Sequence, residues 1–150
     1  MLPFENFLQV VANAPLVSMD LIIENQRGEV LVGLRNNEPA AGFWFVPGGR
    51  VLKDERLDQA FLRISRNELG VDICRQYAES LGVYEHFYDT NAGSAPGFGT
   101  HYVVLAYRLR MDAETLHLPI GEQHEQYRWI LQEQAREDTT IHPYSRAYFA

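Results

Sequence analysis

The stretch from Pro47 to Val71, PGGRVLKDERLDQAFLRISRNELGV, constrains this chain most. Arg56 to Leu69 has helical periodicity, and Gly70 supplies the stop. With Leu57 at the origin of a helical wheel, Ala60, Phe61 and Ile64 fall within about 60° of it and make one apolar face. Glu68, eleven positions on from Leu57, falls at about 20° and so in the middle of that face. A carboxylate there cannot stay unpaired in a dry core. It is either a cation ligand or base in a wet cleft, or a structural ion pair with an Arg, or a residue exposed where the helix end leaves the core. Ahead of the helix, Gly48 and Gly49 let backbone approach a ligand closely, and Arg50 can grip phosphate. Most Gly-Gly pairs are only turns, so this second signal is weak alone.

The rest of the chain can bury such a helix. Its 150 residues suit one domain, read here as 1–150, which would bury roughly 70% of the unfolded surface. A hydrophobic share of 46% against 22% charged excludes a disordered chain. Acids outnumber bases 20 to 13, a formal charge of -7, so no nucleic-acid partner is expected, although a local anion site remains open. Every base except Lys53 is Arg, which suits bidentate phosphate contact, but genome composition explains that bias equally well. Cys74 is the single cysteine and can form neither an internal disulfide nor a Cys-based metal site. The apolar runs are too short to span a membrane, and the N-terminus carries no basic leader, so a cytoplasmic enzyme or binding domain is the expectation.

Phe4, Phe7, Leu8, Val10 and Val11 predict a short helix that docks on the core or on a partner subunit. Val17 to Glu24 and Glu29 to Leu34 predict a hairpin around Asn25-Gln26-Arg27-Gly28. Asn36 to Gly42 reads as a loop, and Phe43 to Val46 as a short strand broken by Pro47-Gly48-Gly49. Phe43 and Trp44 are expected in the core. Strands are expected at Ser80 to Phe87, Thr100 to Arg110 and Tyr127 to Ile130. A mobile loop ending GSAPGFG separates the first two, and Leu118 to Gln123 is a second loop. The tail from Gln132 is expected to be helical in two pieces. The order is an α+β one, a mixed sheet with helices around it.

From Gly49 the pattern G-x5-E-x7-R, then E-L-G-V, takes in Gly49, Glu55, Arg63, Glu68, Gly70 and Val71 across 23 residues. This resembles the Nudix box, the signature of hydrolases acting on nucleoside diphosphates linked to another moiety. The resemblance implies the Nudix fold, a mixed β-sheet sandwiched between α-helices. The usual box continues R-E-U-x-E-E-x-G-U, with U a bulky aliphatic residue. Here Ile64 and Asn67 stand where two of the glutamates are expected. Ordinary members use that acidic cluster to hold several Mg2+ ions and activate water for attack on phosphorus. The departures are similar to one branch, the GDP-mannose mannosyl hydrolases. The matching segments span nearly the whole chain: PLVSMDLIIEN, the Arg35 loop, GFWFVPGGRVLKDE, RISRNELG, YEHFYD, THYVVLAYR, EQHEQYRWI and HPYSRAYF.

That branch cleaves GDP-mannose to GDP and mannose by water attacking the anomeric carbon with inversion. The resemblance implies that His124 is the general base, a role an imidazole can fill near neutral pH. Read without it, His124 is a surface residue in a polar run. The resemblance also implies one Mg2+ per subunit, replaceable by Mn2+, held by Glu68, the Gly48 carbonyl and the Gln123 amide oxygen. Hard oxygen donors suit that ion. Arg35 and Arg50 match contacts to the diphosphate. Asp20 matches an acid that helps hold substrate, Tyr102 a donor to the leaving group, and His86 a substrate contact. Read alone, Asp20 could face solvent by strand alternation, and Tyr102 could be core packing. Glu55 and Arg63 are expected to form a supporting ion pair, and Cys74 to have no function. The branch is dimeric, so a homodimer is implied, with the N-terminal helix exchanged or docked.

Two other classes stay open. A standard Nudix pyrophosphatase is disfavoured by Ile64 and Asn67. A non-catalytic nucleotide-sugar-binding domain is disfavoured because Asp20, Arg35, Glu68, Gln123 and His124 are all retained. Nothing in the sequence separates mannose from glucose as the sugar.

Overall fold

The computed structural model describes residues 2–119 and 124–150, with only the backbone of His124 and Glu125. Helix α1 (Phe4–Asn13) leads into β1 (Leu16–Glu24), β2 (Glu29–Arg35), β3 (Trp44–Phe45) and β4 (Gly48–Arg50). Helix α2 (Leu57–Leu69) is followed by β5 (Glu79–Tyr88), β6 (Thr100–Arg110) and β7 (His124–Leu131). The chain closes with α3 (Gln132–Glu137), α4 (Pro143–Arg146) and a final 3-10 turn at Ala147–Phe149. The expected α+β order is present, with one strand added.

That strand is β4, where the sequence suggested only a break at Pro47-Gly48-Gly49. It forms because β1 offers it a partner: Ser18 stands opposite Arg50, Met19 opposite Gly49 and Asp20 opposite Gly48. The mixed sheet runs β3-β2-β1-β6-β5, with β7 beside β2. Among the described strands β1 and β6 pair in parallel and the other pairs are antiparallel. On its other side β1 borders β4 near Asp20 and meets β2 at Glu24. The sheet therefore divides along β1, and the cleft opens at that division.

Alternation along β1 sends Met19, Leu21 and Ile23 to one face, where Ala60, Phe61, Ile64 and Leu69 of α2 cover them. Ile22, Val30, Val32 and Ala106 face the other way, under Ile141, Tyr148 and Phe149 from the C-terminal segment. Leu57, the origin of the wheel, is instead exposed at the first position of the helix. Gly70 ends α2 at φ 72°, and a Cβ there would collide with the carbonyl of His117. Phe43 is also more exposed than expected: it lies edge-on to His142, and Trp44 is half-buried under the Arg128 guanidinium.

The loop before β6 is tied together by Asn91. Its amide donates to the carbonyls of Ala95 and Phe98, and its Oδ1 accepts from the amides of Gly93 and Ala95. Cys74 is a free, exposed thiol. Among the described residues no helix is long and apolar enough to cross a membrane.

Phe61 is fully buried, edge-on to Tyr107 at 5.1 Å between ring centroids. Phe61→Ala is expected to cost about 3–5 kcal/mol of stability, measured by urea unfolding. A cost below about 1 kcal/mol would contradict this account of the core.

Candidate active site

Strands β1 and β4 make the floor. The Leu21 amide donates to the Pro47 carbonyl, and the Val51 amide to the Val17 carbonyl, both at 2.8 Å. Alternate residues of such a ladder turn their backbone groups outward, so the N–H and C=O of Gly48 face away from β1. The Gly48 N–H donates to Glu68 Oε1 at 3.3 Å. A Cβ on Gly48 would stand 2.6 Å from Asp20 Oδ1, so only glycine lets these two groups meet. Glu68 is 9% exposed, which removes the reading in which the helix end carries it into solvent.

The loop before α2 is set by Arg63. Its Nε donates to Glu55 Oε2 at 2.8 Å, and its Nη2 donates to the Arg50 carbonyl at 2.6 Å. Glu55 Oε1 accepts the Leu52 amide at 2.9 Å. The expected ion pair is present. The Arg63 hydrogen bonds hold the Glu55 carboxyl below its usual range, although burial works against this.

Asp20, Arg35, Gly48, Arg50, His86 and Tyr102 line one cavity of about 150 Å³. The chain thus gathers residues as far apart as 20 and 102. Asp20 faces this cavity and not open solvent. Burial pushes its carboxyl up to about 6, and the like charge of Glu68 adds to this; a hydrogen bond from Tyr148 and the Arg35 charge act the other way. Arg35 Nε donates to the Pro39 carbonyl at 3.1 Å, and its guanidinium lies 5.6 Å from the Phe45 ring. The Arg50 guanidinium stacks 4.0 Å over Phe7 of α1. Burial raises the Tyr102 phenol above its ordinary value against the pull of Arg35 and Arg50, so it stays an O–H donor at neutral pH. His124 pairs with Arg35 through the β2–β7 ladder. Its side chain and the whole of Gln123 lie outside the described residues.

Sequence reasoning named His86 but missed the C-terminal rings packed behind the cavity. His86 stacks on Tyr144 at 4.2 Å and 3°, and His142 stacks on Phe45 at 4.7 Å and 20°. Tyr148 donates its O–H to Asp20 Oδ2 at 2.7 Å. The one available signal was the segment HPYSRAYF, whose spacing says nothing about which strand it covers.

A family model described as NUDIX domain matches residues 14–150. The chain belongs to the Nudix family. The low-salt glycan biosynthesis protein Agl8 of Haloferax volcanii is 41% identical over 148 residues, covering 98% of this chain and 88% of that protein. The MutT protein from Methanosarcina mazei Go1 is similar in structure with a TM-score of 0.71 at 22% identity, over 91% of this chain and 92% of that one. The NUDIX domain of Shewanella oneidensis NrtR, complexed with ADP ribose, reaches 0.61 at 22% identity, over 94% and 90%. These structures share the fold; their ligands are their own. Nudix membership makes hydrolysis of nucleotide derivatives the coarse assignment.

Nudix hydrolases generally use divalent metal ions. Among the described residues no group of three or more His, Cys, Asp or Glu is placed to hold one. The Glu68 carboxylate and the outward-facing Gly48 carbonyl are adjacent hard oxygen donors. They fit an ion that takes one or two protein oxygens and completes its shell with substrate phosphate.

The two histidines generate a pH prediction. Burial pushes His86 down to about 4, with help from His142; burial also pushes His142 down to about 4, with help from Arg146 and Arg35. A histidine depressed in the native state binds its proton more readily when unfolded. Its stability contribution is therefore full above about pH 6.5 and is lost as pH falls toward 4. Asp20, raised to about 6, acts oppositely: its native form holds the proton more tightly, so its contribution is present in acid and lost as pH rises through 6. His86→Phe keeps the stack on Tyr144 and removes one histidine. Its stability loss between pH 6.5 and 4, measured by urea unfolding, is expected to be about 1–3 kcal/mol smaller than that of the parent. Superimposable pH profiles would rule out a depressed His86.

Proposed function

We propose that this Nudix chain hydrolyses GDP-mannose, with GDP-glucose as a second candidate, to GDP and the free sugar by attack at the anomeric carbon. The observation that carries this reading is Ile64. It is 1% exposed and packs beneath Gly49, with its Cγ1 3.1 Å from where a Gly49 Cβ would be. An apolar side chain thus fills a position where the usual box has a carboxylate. Asn67, at the other altered position, is exposed and carries no carboxylate. Attack on phosphorus by a multi-ion cluster therefore lacks donors here, whereas the cleft keeps cations and a phenol suited to a leaving diphosphate. The Haloferax volcanii relative is named for glycan biosynthesis, which agrees with a sugar-nucleotide substrate. The reading takes residues 1–150 as one domain and a homodimer as the active unit.

In this mechanism water adds to the anomeric carbon from the face opposite GDP. His124 takes its proton as general base. The bond from that carbon to the diphosphate oxygen breaks, and its electron pair leaves on GDP. Arg35 and Arg50 stabilise the growing negative charge, and Tyr102 donates its O–H to the leaving group. Asp20 and His86 hold the sugar in line. A divalent ion, when held by Glu68, the Gly48 carbonyl and Gln123, would offset charge on the diphosphate.

Hydrolysis in 18O-water tests the bond cleaved. Label in mannose with unlabelled GDP is the expected result; GMP with mannose 1-phosphate and label on a phosphate would overturn the reading. Binding of GDP-mannose without products would favour a non-catalytic sensor. His124→Leu is expected to lower turnover roughly 10²–10⁴-fold with little change in binding. Glu68→Gln is expected to weaken Mg2+ binding in a metal titration, and unchanged affinity would reject Glu68 as a ligand.

A further inference from the structure

We propose that Tyr148 is a positioning residue: its hydroxyl holds one oxygen of Asp20 so that the other faces the substrate cavity. This rests on the reading of Asp20 as a substrate contact. Tyr148 donates to Asp20 Oδ2 at 2.7 Å across 128 residues of sequence. Among the described residues it is the one hydrogen-bond donor to that carboxylate. The second oxygen, Oδ1, points to the space that glycine leaves at position 48. Glu68 repels Asp20 and Arg35 attracts it, so the carboxylate lies between opposed charges. A directional hydrogen bond sets its rotation where those opposed charges do not.

The donor is itself held rigidly. Tyr148 is 6% exposed and lies edge-on to Tyr84 at 5.0 Å and 83°. Its segment is anchored at several independent points. The Val46 amide donates to Ser145 Oγ at 3.1 Å, and Arg136 Nε donates to the Phe149 carbonyl. The Tyr144 hydroxyl accepts the Phe87 amide at 3.0 Å and donates to the Phe87 carbonyl at 2.9 Å. Burial and the adjacent carboxylate keep the Tyr148 phenol protonated, so it remains a donor. The C-terminal turn is therefore part of the cleft, although its tyrosine does not line the cavity.

The test is a double-mutant cycle of Tyr148→Phe and Asp20→Ala. Phenylalanine keeps the ring packing and removes only the donor. Tyr148→Phe is expected to lower kcat/KM for GDP-mannose roughly ten- to a hundredfold, the scale of one hydrogen bond to a charged group. In the Asp20→Ala background the same change is expected to have less than about a twofold effect, because the acceptor oxygens are gone. Full activity in Tyr148→Phe, or an equal loss in both backgrounds, would overturn the proposal. If the parent protein does not hydrolyse GDP-mannose, the functional reading fails separately. Crystal structures then decide the positioning role: a turned or split Asp20 carboxylate in Tyr148→Phe supports it, and an unmoved one overturns it.

Discussion

The guanidinium of Arg63 is the clasp on which the cleft depends. One side chain binds the Glu55 carboxylate and the Arg50 carbonyl together, so the loop between β4 and α2 is closed at both ends. Beside that closed loop α2 packs on β4, where Glu68 accepts the Gly48 amide and Ile64 fills the space beneath Gly49. The pair is partly shielded and its geometry is bidentate, which favours a rigid contact over a solvated surface pair.

The site combines opposed charges in a small space. Asp20 and Glu68 bring negative charge to the floor, and Arg35 and Arg50 bring positive charge to the walls. Each cation rests on an aromatic ring, Phe45 for Arg35 and Phe7 for Arg50. Such stacking limits the rotamers of a long side chain. Because the Arg50 partner belongs to α1, the N-terminal helix takes part in shaping the cleft.

Much of this was legible in sequence because it is local. The helix Arg56 to Leu69, its glycine stop and the position of Glu68 on the apolar face follow from a 3.6-residue period. The Glu55–Arg63 pair follows from box spacing. Asp20, Arg35, Gly48, Arg50, His86 and Tyr102 were reached through the family resemblance, and the fold does bring them to one cavity. Phe43 was misjudged because hydrophobicity alone does not say which side of a short strand the rest of the chain will cover.

The sequence by itself determined the α+β order of elements and, through its resemblance to the Nudix box, the family fold and the loss of carboxylates at Ile64 and Asn67, since the box is a set of residue types at short, fixed spacing. The tertiary structure alone decided that Gly48 to Arg50 form a strand, because a strand exists only where β1 supplies hydrogen-bonding partners. It also decided that Asp20 accepts a hydrogen bond from Tyr148, because that hydroxyl, 128 residues away in sequence, arrives only when the C-terminal segment packs over the sheet.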